Sequence, residues 1–476
     1  MALAERLMVT AGFDIDLDSR DWAELNSIRQ QLQDVQDRKD MRAMMWSSID
    51  NSDSQDLDQI EYCEQLDGGK IRLYVGIADV DACVKKGGRI DTYAGTNATS
   101  VYTGVKVFGM LPEELSYHRT SLLGNEDREA MVMQIDVHED GSVEGFQLYF
   151  ALVRNYAKLA YEKVADWLKN GGAYPAIDAL AGMDTQIKLQ ETCALRLRAA
   201  NERAGALSVQ TIEANPVAVN GVVVDLAITE TNRARDVIQH FMVTMNSALA
   251  HYMDQKGAAI IQRIVRKPKR WPKLVELAAS FGVTLPPEPD AVALAQFVAG
   301  RRTADKQSFP DLSLKVVKLL GPGEYVVHIP GAPEEGHFGL AVHEYTHATA
   351  PNRRYADLVI QRQVKAMLRG EVAPYTPDEL TTIANHCMDR EEAAHKVERT
   401  MRKAAAAVLL SKHIGEEFDA VVTGASPKGV YVRLIKPPAE GRIVSNEQGL
   451  DVGDKVRVKL LNTDWAQAFI DFERVT

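Results

Sequence analysis

Four aspartates crowd one short stretch: Asp50, Asp53, Asp56 and Asp58. Asp56 and Asp58 are two apart. In extended backbone they project from one face, while Leu57 turns the other way into a core. Residues 51–54 read Asn-Ser-Asp-Ser, turn chemistry that folds Asp50 back toward the pair. Carboxylates brought that close repel one another, and a divalent cation resolves the repulsion. An all-oxygen donor set favours Mg2+, with Mn2+ also accommodated, over zinc. Metal ions so held activate water and stabilise the leaving oxygen in phosphodiester hydrolysis. The bland alternative is a solvated acidic loop. A helix–loop–helix calcium site is disfavoured, because Gln55 stands where its sixth position requires glycine.

A second pattern competes. His343, Glu344 and His347 match H-E-x-x-H. On a helix the two histidines would share a face and hold zinc, with Glu344 as the general base of a metalloprotease. The context is against it. Pro351 follows closely and would cut such a helix short, Gly336 and Gly339 precede it, and no third ligand is evident downstream. The cysteines Cys63, Cys83, Cys193 and Cys387 form no C-x-x-C pair. Their spacing gives no cysteine-ligated zinc and no disulfide framework, which fits a reducing compartment.

The elements that must position these residues can be read coarsely. The chain has 476 residues, 46% hydrophobic and 25% charged, which suggests a soluble composition in two or three domains. Its formal net charge of −11 argues against a general nucleic-acid coat protein but leaves room for a local basic channel. The N-terminus has no secretory pattern, and no run approaches the roughly 18 apolar residues of a membrane span, so the expectation is cytoplasmic. Residues 1–40 read as a helical segment, with Trp22, Leu25, Ile28 and Leu32 at helical spacing over residues 21–37. Residues 71–80, 129–137 and 146–153 read as strands, with turn chemistry at 139–142. Residues 155–300 read as mostly helical, and 354–370 and 376–412 as helices. Four short alternating runs begin near Phe418, Val430, Val456 and Ala468, with a Ser-Pro-Lys-Gly turn after the first. They suggest a small all-β barrel of the OB-fold type over residues 416–476.

In family terms, the sequence resembles the ribonuclease II / RNase R (RNB) family. Asp50, Asp56 and Asp58 match the first three acids of its signature, an Asp, five residues, then Asp-x-Asp-Asp. Gln59 stands at the fourth, a departure that removes a charge, for which Asp53 and Glu61 are the neighbours placed to compensate. The resemblance continues in order through residues 77–80 (IADV), 99–116 (TSVYTGVKVFGMLPEELS), 337–340 (HFGL) and 349–357 (TAPNRRYAD). Ala350 and Asn352 depart from the family's Ser and Ile. No room exists in the first forty residues for the family's pair of N-terminal cold-shock domains.

The resemblance implies an α/β (α+β) catalytic core over residues 41–412 and a C-terminal OB-fold of the ribosomal S-one type. It implies a 3′-to-5′ exoribonuclease that degrades single-stranded RNA to nucleoside 5′-monophosphates, acting as a monomer. Asp50, Asp56, Asp58 and Gln59 would then hold the metal, and Arg353 would stabilise the reacting phosphate. Tyr102 would stack on bases near the 3′ end, Glu398 would approach the terminal sugar, and Thr349, Arg354 and Tyr355 would line the RNA path. Trp271 is the candidate for a second stacking aromatic. The physics agrees: an arginine can give a phosphate two parallel hydrogen bonds, and an aromatic face accepts any base. The rival readings are an RNA binder weakened by Gln59 and, more remotely, the zinc protease.

Overall fold

The computed structural model describes the chain except residues 31–37, 211–213, 220–221, 229–230, 306–307, 427–428 and 476. Two helices open it, α1 (Ala2–Thr10) and α2 (Ser19–Gln30). The remainder of the helix expected over 21–37 lies outside the described residues. Ala4, Met8 and Phe13 pack with Val101, Phe108, Val397 and Met401. Glu24 of α2 caps α3 (Arg89–Asn97), its carboxylate accepting the Arg89 and Ile90 N–H groups at 2.7 and 3.2 Å. A carboxylate there satisfies donors that a helix start leaves open and meets the positive end of its dipole.

Strands β1 (Lys39–Asp40), β2 (Trp46–Asp50), β3 (Gln59–Gln65) and β4 (Ile71–Ala78) come next, then a small hairpin of β5 (Val101–Tyr102) and β6 (Val107–Phe108). Strands β7 (Asp127–Val137) and β8 (Val143–Ala160) follow. The main sheet has the order β1-β8-β2-β3-β4-β7, and β8 also pairs with β7, so the sheet closes on itself. Its interior is apolar, with Trp46, Ile49, Leu73, Val75 and Ile77 at 0–1% exposure. β4 stops two residues short of the expected strand. Asp79 caps a 3-10 turn instead, and its buried carboxylate accepts from Lys365 Nζ at 2.8 Å and Arg38 Nη2 at 2.7 Å.

Helices α4 (Tyr161–Asn170), α5 (Pro175–Asp178), α6 (Met183–Ala204) and α7 (Arg233–Gln255) cover one side. The stretch expected to be mostly helical also carries the hairpin β9 (Ala214–Val219) and β10 (Val222–Ile228), and β11 (Ile260–Ile264), which pairs with β12 (Glu324–His328). Runs such as Val222-Val-Val and Ile260-Ile prefer the pleated conformation. Between β11 and β12, α8 (Trp271–Ala279), α9 (Ala291–Ala304) and α10 (Phe309–Leu320) form their own apolar cluster. α11 (Tyr355–Arg369) is buried from Tyr355 to Ala366. α12 (Pro377–Leu410) starts on a capping box between Thr376 and Glu379.

The C-terminal barrel is closed, in the order β13 (Glu417–Ser426), β14 (Gly429–Leu434), β15 (Glu440–Ser445), β17 (Phe469–Arg474), β16 (Lys455–Asp464). Its core (Val432, Ile443, Phe472) packs against Ala406, Ala407 and Leu410 at the end of α12. The turn expected after Ser426 falls partly on residues 427–428, outside the described residues. No helix among the described residues is long and apolar enough to cross a membrane.

Candidate functional site

Leu57 is fully buried and anchors the acidic loop: its N–H donates to Ser121 Oγ at 2.9 Å, and its carbonyl accepts from the Leu122 N–H at 2.9 Å. Asp50 ends β2, and its Oδ1 accepts from Ser54 Oγ at 2.9 Å and from the Asn51 N–H at 2.7 Å. Asp56 lies in the loop and accepts from the Tyr102 hydroxyl at 3.2 Å. Burial raises its carboxyl above the usual range, an effect that Arg353 opposes and Asp50 adds to. Asp58 is 1% exposed. Its Oδ1 accepts from the Asn352 N–H at 2.9 Å, and its Oδ2 lies 3.4 Å from Arg353 Nε. Burial pushes the Asp58 carboxyl up to about 7, against the pull of Arg353.

The opposite wall comes from distant chain. Arg353 stands just before α11 with its side chain 43% exposed, so its guanidinium can meet both Asp58 and a phosphate. Tyr102, 42% exposed, offers a ring face. Its N–H donates to Glu398 Oε1 of α12 at 2.9 Å, so the structure brings Tyr102, Glu398 and Asp56 together.

Among the described residues, no three His, Cys, Asp or Glu side chains lie close enough together to hold a metal ion as they stand. The spacing argument expected Asp50, Asp56 and Asp58 to converge as a ready ligand set. Instead each carboxylate accepts from a protein donor, Asp50 from Ser54 and the Asn51 N–H, Asp56 from Tyr102 and Asp58 from the Asn352 N–H. The donor chemistry still fits a divalent cation. Asp58 Oδ2 is buried with no hydrogen-bond partner, and an oxygen donor of this kind suits a hard cation. Gln59, 9% exposed, opens β3 beside it.

Four expected RNA contacts are not where the sequence put them. Trp271 is 2% exposed and donates its indole N–H to the Pro286 carbonyl at 2.9 Å, so it is a core residue of the α8–α10 cluster. Tyr355 is buried, with its hydroxyl on Asp91 at 2.9 Å. Arg354 is clamped by Asp357 at 2.8 and 3.0 Å. Thr349 is 4% exposed and accepts from Asn246 Nδ2 at 3.2 Å. Tyr355 and Arg354 turn inward because the start of α11 is itself core, where polar groups must find protein partners. The His343–His347 segment is irregular rather than helical. Glu344 Oε2 lies 2.6 Å from His251 Nδ1, and His347 Nδ1 lies 2.9 Å from the Tyr325 hydroxyl. The zinc-protease face is therefore not formed.

Asn352, Ser54 and Arg235, which donates to Asn51 at 2.9 Å, are site neighbours that spacing did not assign. Asn352 acts through its backbone N–H, which carries no sequence signal.

Comparison with known proteins gives these residues a context. Residues 38–370 match the RNB domain, and residues 416–475 match the RNase II-type exonuclease C-terminal S1 domain. Ribonuclease R 1 of Lactococcus lactis is 26% identical over 468 residues, covering 92% of this chain and 56% of that protein. Ribonuclease R of Thermotoga maritima is 28% identical over 491 residues, covering 94% of this chain and 67% of that protein. The chain thus spans between about half and two thirds of these curated relatives. The apo form of Mycoplasma genitalium RNase R shares the fold, with a TM-score of 0.87 at 22% identity over 99% of this chain and 77% of that one. The same protein has been solved in complex with ribose-methylated single-stranded RNA. Matched from residue 38 to residue 370, the chain belongs to the RNB domain family.

Proposed function

We propose that this chain is a hydrolytic 3′-to-5′ exoribonuclease acting on single-stranded RNA and releasing nucleoside 5′-monophosphates. The observation that carries the reading is the meeting of Asp58 with Arg353 at 3.4 Å, which joins an acidic loop to a guanidinium from the far end of the core. Phosphodiester hydrolysis needs both, one to serve the attacking oxygen and one to offset charge on the phosphate. That a fold relative binds single-stranded RNA supports the substrate class.

Asp50, Asp56 and Asp58, with Gln59 beside them, are the residues to hold magnesium or manganese. The bound ion supplies positive charge that acidifies water and neutralises the phosphate. Arg353 binds the scissile phosphate through its exposed guanidinium and keeps Asp58 turned toward it. Tyr102 stacks on a base near the 3′ end. Because its hydroxyl is tied to Asp56 and its N–H to Glu398, the stacked base is registered against the acidic loop. Contacts to the 2′-hydroxyl distinguish RNA from DNA. Working as a cytoplasmic monomer completes the proposal; all four cysteines are free thiols, as a reducing compartment maintains them.

The test is a time course with 5′-labelled single-stranded RNA and magnesium on a denaturing gel, beside an EDTA control and a DNA oligomer. A ladder shortening from the 3′ end, absent in EDTA and absent on DNA, is expected. Intact RNA that still shifts on a native gel would favour the second reading, an RNA binder with lost catalysis, which the uncharged Gln59 motivates.

A further inference from the structure

Strands β5 and β6 have two residues each, too few for a hairpin to hold itself in water. Yet Tyr102 sits on β5 and is tied to Asp56 and Glu398. The support lies behind the hairpin. Val101, whose side chain leaves the strand on the face opposite Tyr102, is fully buried, as is Ala4 of α1. Val101 and Phe108 share an apolar cluster with Ala4, Met8 and Phe13 of the N-terminal segment and with Val397 and Met401, which flank Glu398 on α12.

The chain that enters the hairpin is held by the same segment. The Asp14 N–H donates to Asn97 Oδ1 at 2.9 Å, and Asn97 Nδ2 donates back to the Asp14 carbonyl at 2.9 Å. Arg390 of α12 donates to the Ala11 carbonyl at 3.1 Å, with its guanidinium 3.9 Å from the centre of the Phe13 ring. Asn97 is 2% exposed and precedes Ala98, whose φ of 57° is a left-handed conformation that alanine keeps only under constraint. From there the Ala98 carbonyl accepts the Tyr355 N–H at 2.8 Å, and the Ser100 N–H donates to the Arg353 carbonyl at 3.0 Å. Residues 97–102 therefore run from the N-terminal segment, past the backbone of Arg353, to Tyr102. Apolar packing fixes how close the hairpin lies to α1, and the paired amide of Asn97 fixes its direction, since hydrogen bonds are directional.

We propose that residues 1–14 are a brace for the RNA end of the site, with Ala4 and Asn97 as positioning residues that hold the Tyr102 ring in register with the acidic loop. The proposal rests on the exoribonuclease reading and adds to it a role for the N-terminal segment in binding the 3′ end of the substrate.

The test uses the full chain and single-stranded RNA carrying 2-aminopurine near its 3′ end, a base whose fluorescence is quenched by stacking. Binding is followed in EDTA, and kcat and KM are then measured with magnesium. The proteins compared are the parent, Ala4→Glu, Asn97→Ala, Tyr102→Ala and the double variant Ala4→Glu/Tyr102→Ala, each checked for folding by urea titration. Ala4→Glu, which drives a charge under α1, and Asn97→Ala are each expected to lose most of the quench and to weaken RNA binding on the order of tenfold, the scale of one lost stack. KM should rise by the same factor while kcat holds. Ala4→Glu should add little to Tyr102→Ala, because the stack it loosens is already gone. Folded variants that quench and bind as the parent does overturn the proposal, and so do losses that multiply in the double variant. If Ala4→Glu fails to fold, Asn97→Ala decides alone; if both fail, the segment is structural and the proposal falls. A parent that binds and quenches in EDTA but never shortens RNA refutes the nuclease reading and leaves the brace to be judged by the quench.

Discussion

Asp58 carries a conflict between position and charge. Its spacing from Asp56 marked it in the sequence, but its near-complete burial and its bond to the Asn352 N–H arise from chain contacts that no local pattern encodes. Burial holds its carboxyl up to about 7. Below about pH 4 both folded and unfolded chains keep this proton, and it does not affect stability. Between there and pH 7 the unfolded chain releases it while the folded chain keeps it, so stability falls as pH rises and levels off above 7. The full cost is about 4 kcal/mol, at ~1.4 kcal/mol per pH unit. Asp58→Asn keeps an acceptor for Asn352 and removes the charge. In chelator-treated protein it should raise the melting temperature by roughly a few degrees at pH 8 and by less at pH 5. Equal gains at both pH values would show that Asp58 is not the buried acid described here. The inward turn of Tyr355 and Arg354 was likewise hidden. Arg-Arg-Tyr reads the same whether it faces a ligand or a core, and only the burial of the first turn of α11 separates the two.

Elements with long periodic patterns were the readable ones. α11 and α12 lie within a residue or two of where their apolar spacing put them, and the strands near Ile71, Glu129 and Phe146 are present. Short elements were not. β15 escaped notice because Glu440 and Arg442 alternate with a glycine, leaving Ile443 as its one strong core signal; a Cβ on Gly441 would collide with the Phe472 ring. The run that ends in Trp271 looked like a base platform, since basic residues beside an aromatic suit RNA and give no signal of the helix that Trp271 opens. The α8–α10 cluster decided between platform and helix. Trp271→Ala should cost about 3–5 kcal/mol in stability and leave the RNA affinity of the folded fraction unchanged, as read by chemical denaturation and a filter-binding titration. A loss of affinity with stability intact would return Trp271 to the RNA path.

Taken as a whole, the molecule joins its site across great sequence distance. The Asp58–Asn352 hydrogen bond spans 294 residues, while β12 and the exposed residues 331–335 lie between the segments it connects. The net charge of −11 gave no hint of this, because a total says nothing of where charges meet. The family resemblance did place the two halves of the site in one molecule, though not their contact. That contact has a consequence for timing. The ribosome extrudes the aspartates early and Arg353 late, so a growing polypeptide carries half of a blade and nothing to close it on. On the exoribonuclease reading proposed above, the transcript being read would be spared by its own product until Arg353 has been made. Two separately made fragments, residues 1–333 and 334–476, should each leave RNA intact, and mixing them should restore its shortening; cutting by the first fragment alone would refute this order of events.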